Sequence, residues 1–351
     1  MFSVSTAQFK LQAKDQLSDY VRGLAWSADG HTLAAVSAAG EVVLWTDADR
    51  PSRRRIEVQG VCDRTCDCVG FSANHQFLAV GGEAGLLQVW DLQSDSPRLV
   101  FKESYGSNWI ERLAWHPVQE WLAIPVNRTV QIWDLSHQKQ VATLDFETST
   151  VLDLAWHPTG QYLAVSGQGG VKVWDVQKPE SPPVRFEVPG ASLTCRWSGE
   201  GQYLASGNLD RTLSVLAWGQ PPPWLMQGFP GKVSSIAWSD SSPPLLAAAC
   251  VDGITVWRRQ GNQWSSEVLT EHQGFVKAIA FQPNSQLLAS GSNEGGVLLW
   301  PKAKKVSQTL KSLMSGTACL AWHPSGNFLA GGSRDGKIMI WTLGSSKQGF
   351  G

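Results

Sequence analysis

The chain has 351 residues, with 29 Lys and Arg against 30 Asp and Glu, a formal net charge of −1 and only 17% charged residues. Such a balance creates no strong global field for nucleic acid or an anionic membrane surface. Six cysteines are too few for a disulfide framework at this length, no run approaches the 18 apolar residues of a membrane span, and Met1–Gln8 lacks a secretory pattern. The expectation is a cytoplasmic, all-β protein, with 18 Trp and 34 Gly suited to short strands and tight turns.

In chain order, an orphan strand comes first, over about 7–13, with Phe9 and Leu11 alternating. Eight copies of one phrase follow. An apolar run ends in an aromatic anchor: Trp26, Phe71, Trp115, Trp156, Trp197, Trp238, Phe281 and Trp322. A polar turn comes next, and a Leu-Ala pair opens a second run at Leu33, Leu78, Leu122, Leu163, Leu204, Leu246, Leu288 and Leu329. A third run closes 18 or 19 positions after the anchor, at Trp45, Trp90, Trp133, Trp174, Leu216, Trp257, Trp300 and Trp341. Anchor-to-anchor steps of 41 to 45 residues leave no stretch long enough for a separate core, so 1–351 reads as one domain.

Each unit predicts four strands. In the third, 110–115 alternates and stops at His116-Pro117, 121–125 is apolar throughout, 129–133 alternates, and a looser strand lies near 141–146. No segment shows a period of 3.6, so helices should be nearly absent. A four-stranded unit cannot bury both faces alone; stacking units around an axis does so. The predicted fold is an eight-bladed β-propeller of four-stranded antiparallel blades. Only Thr342–Gly351 follows the last third-run residue, so the orphan N-terminal strand should complete blade eight and close the ring.

The spelling of the motif resembles the WD-repeat propellers. Trp90-Asp91, Trp133-Asp134 and Trp174-Asp175 carry the dipeptide, and 204–212 and 331–336 carry the second hairpin. The resemblance implies a non-catalytic scaffold that binds proteins through the narrower, top face of the ring. It also implies a His–Ser–Asp–Trp tetrad bracing each blade, best matched by His272, Ser290 and Trp300 with Glu294 in the Asp place. Most units lack that set, so packing and strand pairing should hold them.

The position four before each anchor holds Arg22, Asp67, Glu111, Leu152, Leu193, Ser234, Lys277 and Ala318, which the resemblance places at the channel mouth. Arg112 and Asp153 lie one residue further along. The plain reading is that these charges pair across blades or face channel water; the functional one is a polar socket for a partner. Trp109, in a loop outside the apolar places of the repeat, favours the socket, and Tyr20 and Phe275 occupy comparable loops. Trp109→Ala and Arg112→Glu are then expected to weaken partner binding without unfolding the ring.

Three further features invite chemistry. Cys62, Cys66 and Cys68 could offer thiolates to a soft metal, with Cys66 and Cys68 two apart and so on one face of a strand. Without a Cys-x-x-Cys pair or nearby His, small-residue packing explains them better, and a metal-handling accessory is an alternative reading. The His-Pro pairs at His116, His157 and His323 recur in one turn of three blades, as turn residues would. Pro221–Trp224 reads as a stiff connector, and Arg53–Arg55 and Lys302–Lys305 as solvated turns. There is no Gly-x-Ser-x-Gly elbow, dinucleotide fingerprint, P-loop or His-Glu-x-x-His. An eight-bladed propeller enzyme with a bound cofactor is the other alternative, since quinone-dependent dehydrogenases share that architecture. The expectation is no enzyme and no cofactor: a monomer whose protein partners are supplied in trans, with no nucleic acid.

Overall fold

The computed structural model describes residues 8–344 except 51, 95, 252, 262, 312 and 314. Parts of the expected closing strand (7) and of the C-terminal tail (345–351) lie outside the described residues. The fold is all-β, and its helical content among the described residues is two three-residue 3-10 turns.

The Leu-Ala pairs explain themselves. All eight Leu and all eight following Ala are 0% exposed. Along the second strand the two side chains point to opposite faces. Leu122 therefore packs back against repeat 2, among Phe77, Ala79 and Val89, while Ala123 packs forward with Leu163 and Val165 of repeat 4. Full burial of one such Leu is worth about 1.5–3 kcal/mol.

The strands pair into seven sheets, which corrects the expected eight separate four-stranded blades. Six sheets have four strands; one has six, running through Asp153–Trp156, Tyr162–Asp175, Val184–Trp197, Tyr203–Asn208, Leu213–Ala217 and Gln220–Met226. Repeats 4 and 5 merge because two strands of 14 residues continue where other repeats break. Gly169, Gly170 and Gly190, all with positive φ, bend these strands without ending them. The two halves of the long sheet pack on each other through Ala164, Val173, Cys195 and Leu204.

The innermost strands touch in sequence around the ring, and Thr317–Trp322 returns to Val21–Trp26. Closure also differs from the expected form. Phe9–Gln16, rather than 7–13, pairs antiparallel with Lys337–Leu343 as the fourth strand of the seventh sheet. A bulge between Leu11 and Ala13 breaks the expected alternation, so Phe9 is 3% exposed and Leu11 47%. Asp15 Oδ2 accepts the Trp45 indole N–H at 2.6 Å, tying this strand to repeat 1.

Anchors also join repeat to repeat. Trp26, Trp115, Trp156, Trp197, Trp238 and Trp322 each donate an indole N–H, at 2.9 to 3.2 Å, to a carbonyl of the preceding repeat's innermost strand. Phe71 and Phe281 have no such donor. In the turns, His116 reaches the Gly160 carbonyl (3.0 Å), His157 that of Gly201 (3.2 Å), His323 that of Gly30 (3.0 Å) and Gln282 that of Gly326 (2.8 Å), each in the next repeat. Other repeats place Ser27, Ser72, Ser198 or Ser239 there, and each hydroxyl accepts a backbone N–H of its own turn.

Two local expectations are also corrected. The first strand of repeat 3 shrinks from 110–115 to Ala114–Trp115. Pro221–Trp224 belongs to the outer strand Gln220–Met226, where an unpaired edge tolerates proline.

Candidate partner-binding face

Strands alternate in direction, so loops leading into each innermost strand share one face, the top, with the turns between second and third strands. Innermost strands in repeats 1, 2, 5, 7 and 8 carry a register shift spanning Arg22, Asp67, Leu193, Lys277 and Ala318. These are residues four before the anchor. A bulge leaves its extra residue unpaired and re-aims the side chain, which gives this column its distinct role.

The charges of the first two repeats meet. Arg22 Nε donates to Asp67 Oδ1 at 2.8 Å and Nη2 approaches it at 2.6 Å, while Thr65 Oγ1 donates to Oδ2 at 2.9 Å. The guanidinium also stands 5.5 Å from the Tyr20 ring centroid. A second group spans repeats 3 to 5. Asp153, 2% exposed, takes Arg196 Nη1 at 2.6 Å, Thr194 Oγ1 at 2.7 Å and the Cys195 N–H at 3.3 Å on Oδ2, with its own Leu154 N–H at 3.0 Å on Oδ1. Arg112 Nε stays 3.8 Å from Oδ1. The plain reading, pairing across repeats, thus describes Arg22, Asp67, Arg112 and Asp153. Glu111 and Lys277 remain exposed, with the Lys277 ammonium 5.9 Å from the Phe275 ring.

Arg196 escaped the sequence reading, although a signal existed. The position before the anchor is otherwise Ala25, Gly70, Ala114, Ala155, Ala237, Ala280 and Ala321, so one arginine in that column marks the site.

Exposed large apolar side chains divide by location. Val61, Trp109, Leu152, Leu209 and Phe275 lie on the top loops, and they include the two large aromatics exposed among the described residues, Trp109 at 52% and Phe275 at 51%. Leu11, Leu99, Val184, Leu225 and Val268 sit on outer strands, and Val118 in an opposite-face turn. Trp109 and Leu152 border a top-face cleft of about 280 Å³ with Glu111, Arg112, Pro125 and Asn127 on its walls.

Of the tetrad, three members assemble. The Trp300 indole donates to Ser290 Oγ at 2.7 Å, and His272 Nε2 lies 2.6 Å from the same oxygen. Burial pushes His272 down from 6.5 to about 4, so it is neutral at pH 7. Glu294 makes no hydrogen bond to His272 among the described residues; its Cγ lies over Gly274 instead. Repeat 5, with Leu216 at the Trp place, substitutes a buried chain of Ser192, Ser206, Asn208, Thr212 and Ser214.

The three cysteines do not converge on one point: Cys62 and Cys66 share the Gln59 amide, 3.8 Å from each sulfur, while Cys68 turns away. The bulge at Asp67 overrides the two-residue alternation, so Cys66 Sγ faces the Gly40 carbonyl (3.5 Å) while Cys68 Sγ faces that of Ile110 (3.2 Å) in repeat 3. Burial pushes both thiols to about 12, and Cys62 alone is exposed. His31, Asp47 and Asp49 do bring metal-type ligand atoms within 4.8 Å of one another at the rim, a grouping common among acidic surface residues. The His-Pro histidines are turn residues that also join repeats, as described above.

This arrangement defines a closed ring of seven antiparallel sheets, six of four strands and one of six, whose top loops carry most of the exposed apolar loop residues described. The family model for the WD domain, G-beta repeat, matches residues 9–46, 60–91, 138–175, 264–301 and 307–342, just over half of the sequence, and the chain belongs to that family. It is also similar to Protein transport protein SEC13 homolog B and to homolog A of Arabidopsis thaliana, each 29% identical over 86 residues. Each match covers 22% of this chain and 28% of the relative. Among the described residues, no helix is long and apolar enough to cross a membrane.

Proposed function

We propose that this protein is a non-catalytic interaction module that presents its top face to protein partners supplied in trans. The observation that carries this reading is the contrast between the two loop faces among the described residues, five exposed large apolar side chains on the top loops against Val118 on the opposite one, with Trp109 and Leu152 across one cleft. Surrounding charges are largely tied to each other, which gives a rigid surface at low ordering cost. The set includes Tyr20, Arg22, Asp67, Trp109, Glu111, Arg112, Asp153, Phe275 and Lys277. The short likeness to relatives named for protein transport makes assemblies of that process the first place to seek the partner.

Affinity purification with wild type, Trp109→Ala and, on the opposite face, Val118→Ala tests it. Trp109 is half exposed, so its loss should shift stability by no more than about 0.5 kcal/mol. Partner recovery should fall by the equivalent of about 2 kcal/mol, roughly 30-fold, and Val118→Ala should leave it unchanged. Full recovery with Trp109→Ala would remove the top face from consideration.

A further inference from the structure

We infer that the cleft between repeats 3 and 4 receives a short partner segment in which an apolar side chain stands next to a carboxylate. This rests on the top-face reading and names the partner chemistry of that face. The apolar half comes from Trp109 and Leu152, 52% and 38% exposed, with Pro125 of the strand Trp121–Val126 beneath them in the lining. About 280 Å³ accommodates side chains of a linear segment rather than a helix face.

The acidic half comes from the unequal hold of two arginines on Asp153. Both oxygens of Asp153 are taken by Arg196, Thr194 and two backbone N–H groups, all within 3.3 Å. Arg112 is left at 3.8 Å, its side chain 52% exposed and its Nη1 donating to the Glu111 carbonyl at 2.9 Å. Two guanidinium groups thus share one carboxylate, and Arg112, the more loosely held of the two, lies on the cleft wall. A guanidinium in that position suits a carboxylate by paired, charge-assisted hydrogen bonds. Glu111 is the only other charged residue on the cleft wall and opposes an acidic ligand. The ladder of repeat 3 begins only at Ala114, so the backbone of 111–113 is outside strand pairing.

The probe is a displayed library of random linear 12-residue peptides selected on the full chain, with affinities then measured by fluorescence polarisation. Selected sequences should pair an apolar residue with Asp or Glu. They should bind Trp109→Ala and Arg112→Glu at least tenfold more weakly, and Glu111→Gln several-fold more tightly. Arg112→Gln, which removes the charge without adding repulsion toward Asp153, should also lose affinity if the fold is intact by circular dichroism. Failure to enrich peptides, enrichment without acidic residues, or equal binding to Arg112→Gln would overturn the inference. Purified partners separate this from its parent: loss with Trp109→Ala but indifference to Arg112→Gln sinks only the acidic segment, whereas indifference to both sinks the top face.

Discussion

The seam between repeats 8 and 1 and its neighbour, between repeats 1 and 2, are made from the same repeat but are joined differently. At the first, the Trp26 indole donates to the Ala321 carbonyl while His323, edge-on to Trp26 at 4.9 Å, donates back to the Gly30 carbonyl. At the second, Phe71 has no N–H to give and Ser27 is too short to cross. His75 stands at the turn position corresponding to Gly30, and its Nε2 is 3.7 Å from Asp29 Oδ2. A cleft of about 320 Å³ opens between Ser27, Asp29, Phe71 and His75. Seams 3–4, 4–5 and 7–8 also have both links, 2–3 and 5–6 only the indole, and 6–7 neither. Two anchor spellings therefore divide a uniform-looking ring into two arcs, repeats 2–6 and repeats 7, 8 and 1.

The strongest way to break this contrast is at the glycine. A Cβ on Gly30 would lie 2.1 Å from His323 Nε2, at a φ of +78° that side chains resist. Gly30→Ala should cost about 2–4 kcal/mol in urea denaturation. His75→Gly, at the same turn position of repeat 2 with φ 56°, should change stability by less than about 1 kcal/mol. His323→Ala added to Gly30→Ala should restore part of the loss, because the two residues share one contact.

Acid should separate the seams next. His323 donates from Nε2 to a carbonyl and accepts the Ser325 N–H on Nδ1, so the neutral ring is the one that fits. Burial lowers the pKa of His116, His157 and His323 below 6.5, and that of His272 to about 4. Above pH 6.5 folded and unfolded chains are alike neutral at these rings. As pH falls from 6.5 toward 4, the unfolded chain takes up protons that the fold refuses, and stability drops. His272 alone should contribute roughly 3 kcal/mol to that drop, at ~1.4 kcal/mol per pH unit. Gln282 already shows that an amide makes the same cross-repeat bond. His323→Gln and His272→Gln should therefore flatten stability against pH between 6.5 and 4; an unchanged slope would contradict the assignment.

Much of the ring was legible because Leu-Ala and the anchors repeat at fixed spacing, and burial follows spacing directly. Sheet count was not legible: whether Gly169, Gly170 and Gly190 end a strand or bend it depends on φ, which the residue names leave open. The channel-mouth column was found by offset, but the bulge that distinguishes it was not, so Cys66 and Cys68 were put on one face by simple alternation. The sequence singles out Arg112 and Asp153 but not Arg196, whose closer hold on Asp153 decides which arginine is the looser one. Histidines that read as turn residues proved to span repeats, a contact between positions 44 apart in His116–Gly160 that no local pattern shows.

The smallest effect sharpens the comparison most, because it tries to turn the poorer seam into the better one. In all six seams joined by an indole, the N–H reaches the carbonyl of the residue just before the previous anchor: Gly70, Ala114, Ala155, Arg196, Ala280 and Ala321. For repeat 2 that acceptor is Ala25. Phe71 borders the 320 Å³ cleft, so Phe71→Trp has room for the larger ring and should gain about 1 kcal/mol from one hydrogen bond and added burial. Phe281 is 9% exposed and packed among Leu245, Leu288 and Trp300, so Phe281→Trp must displace neighbours and should cost about 1 kcal/mol. Opposite signs in parallel urea titrations are the expected result. Destabilisation by both would mean that the cleft between repeats 1 and 2 is not a vacancy for an anchor, and that the two arcs owe their division to something other than the missing indole.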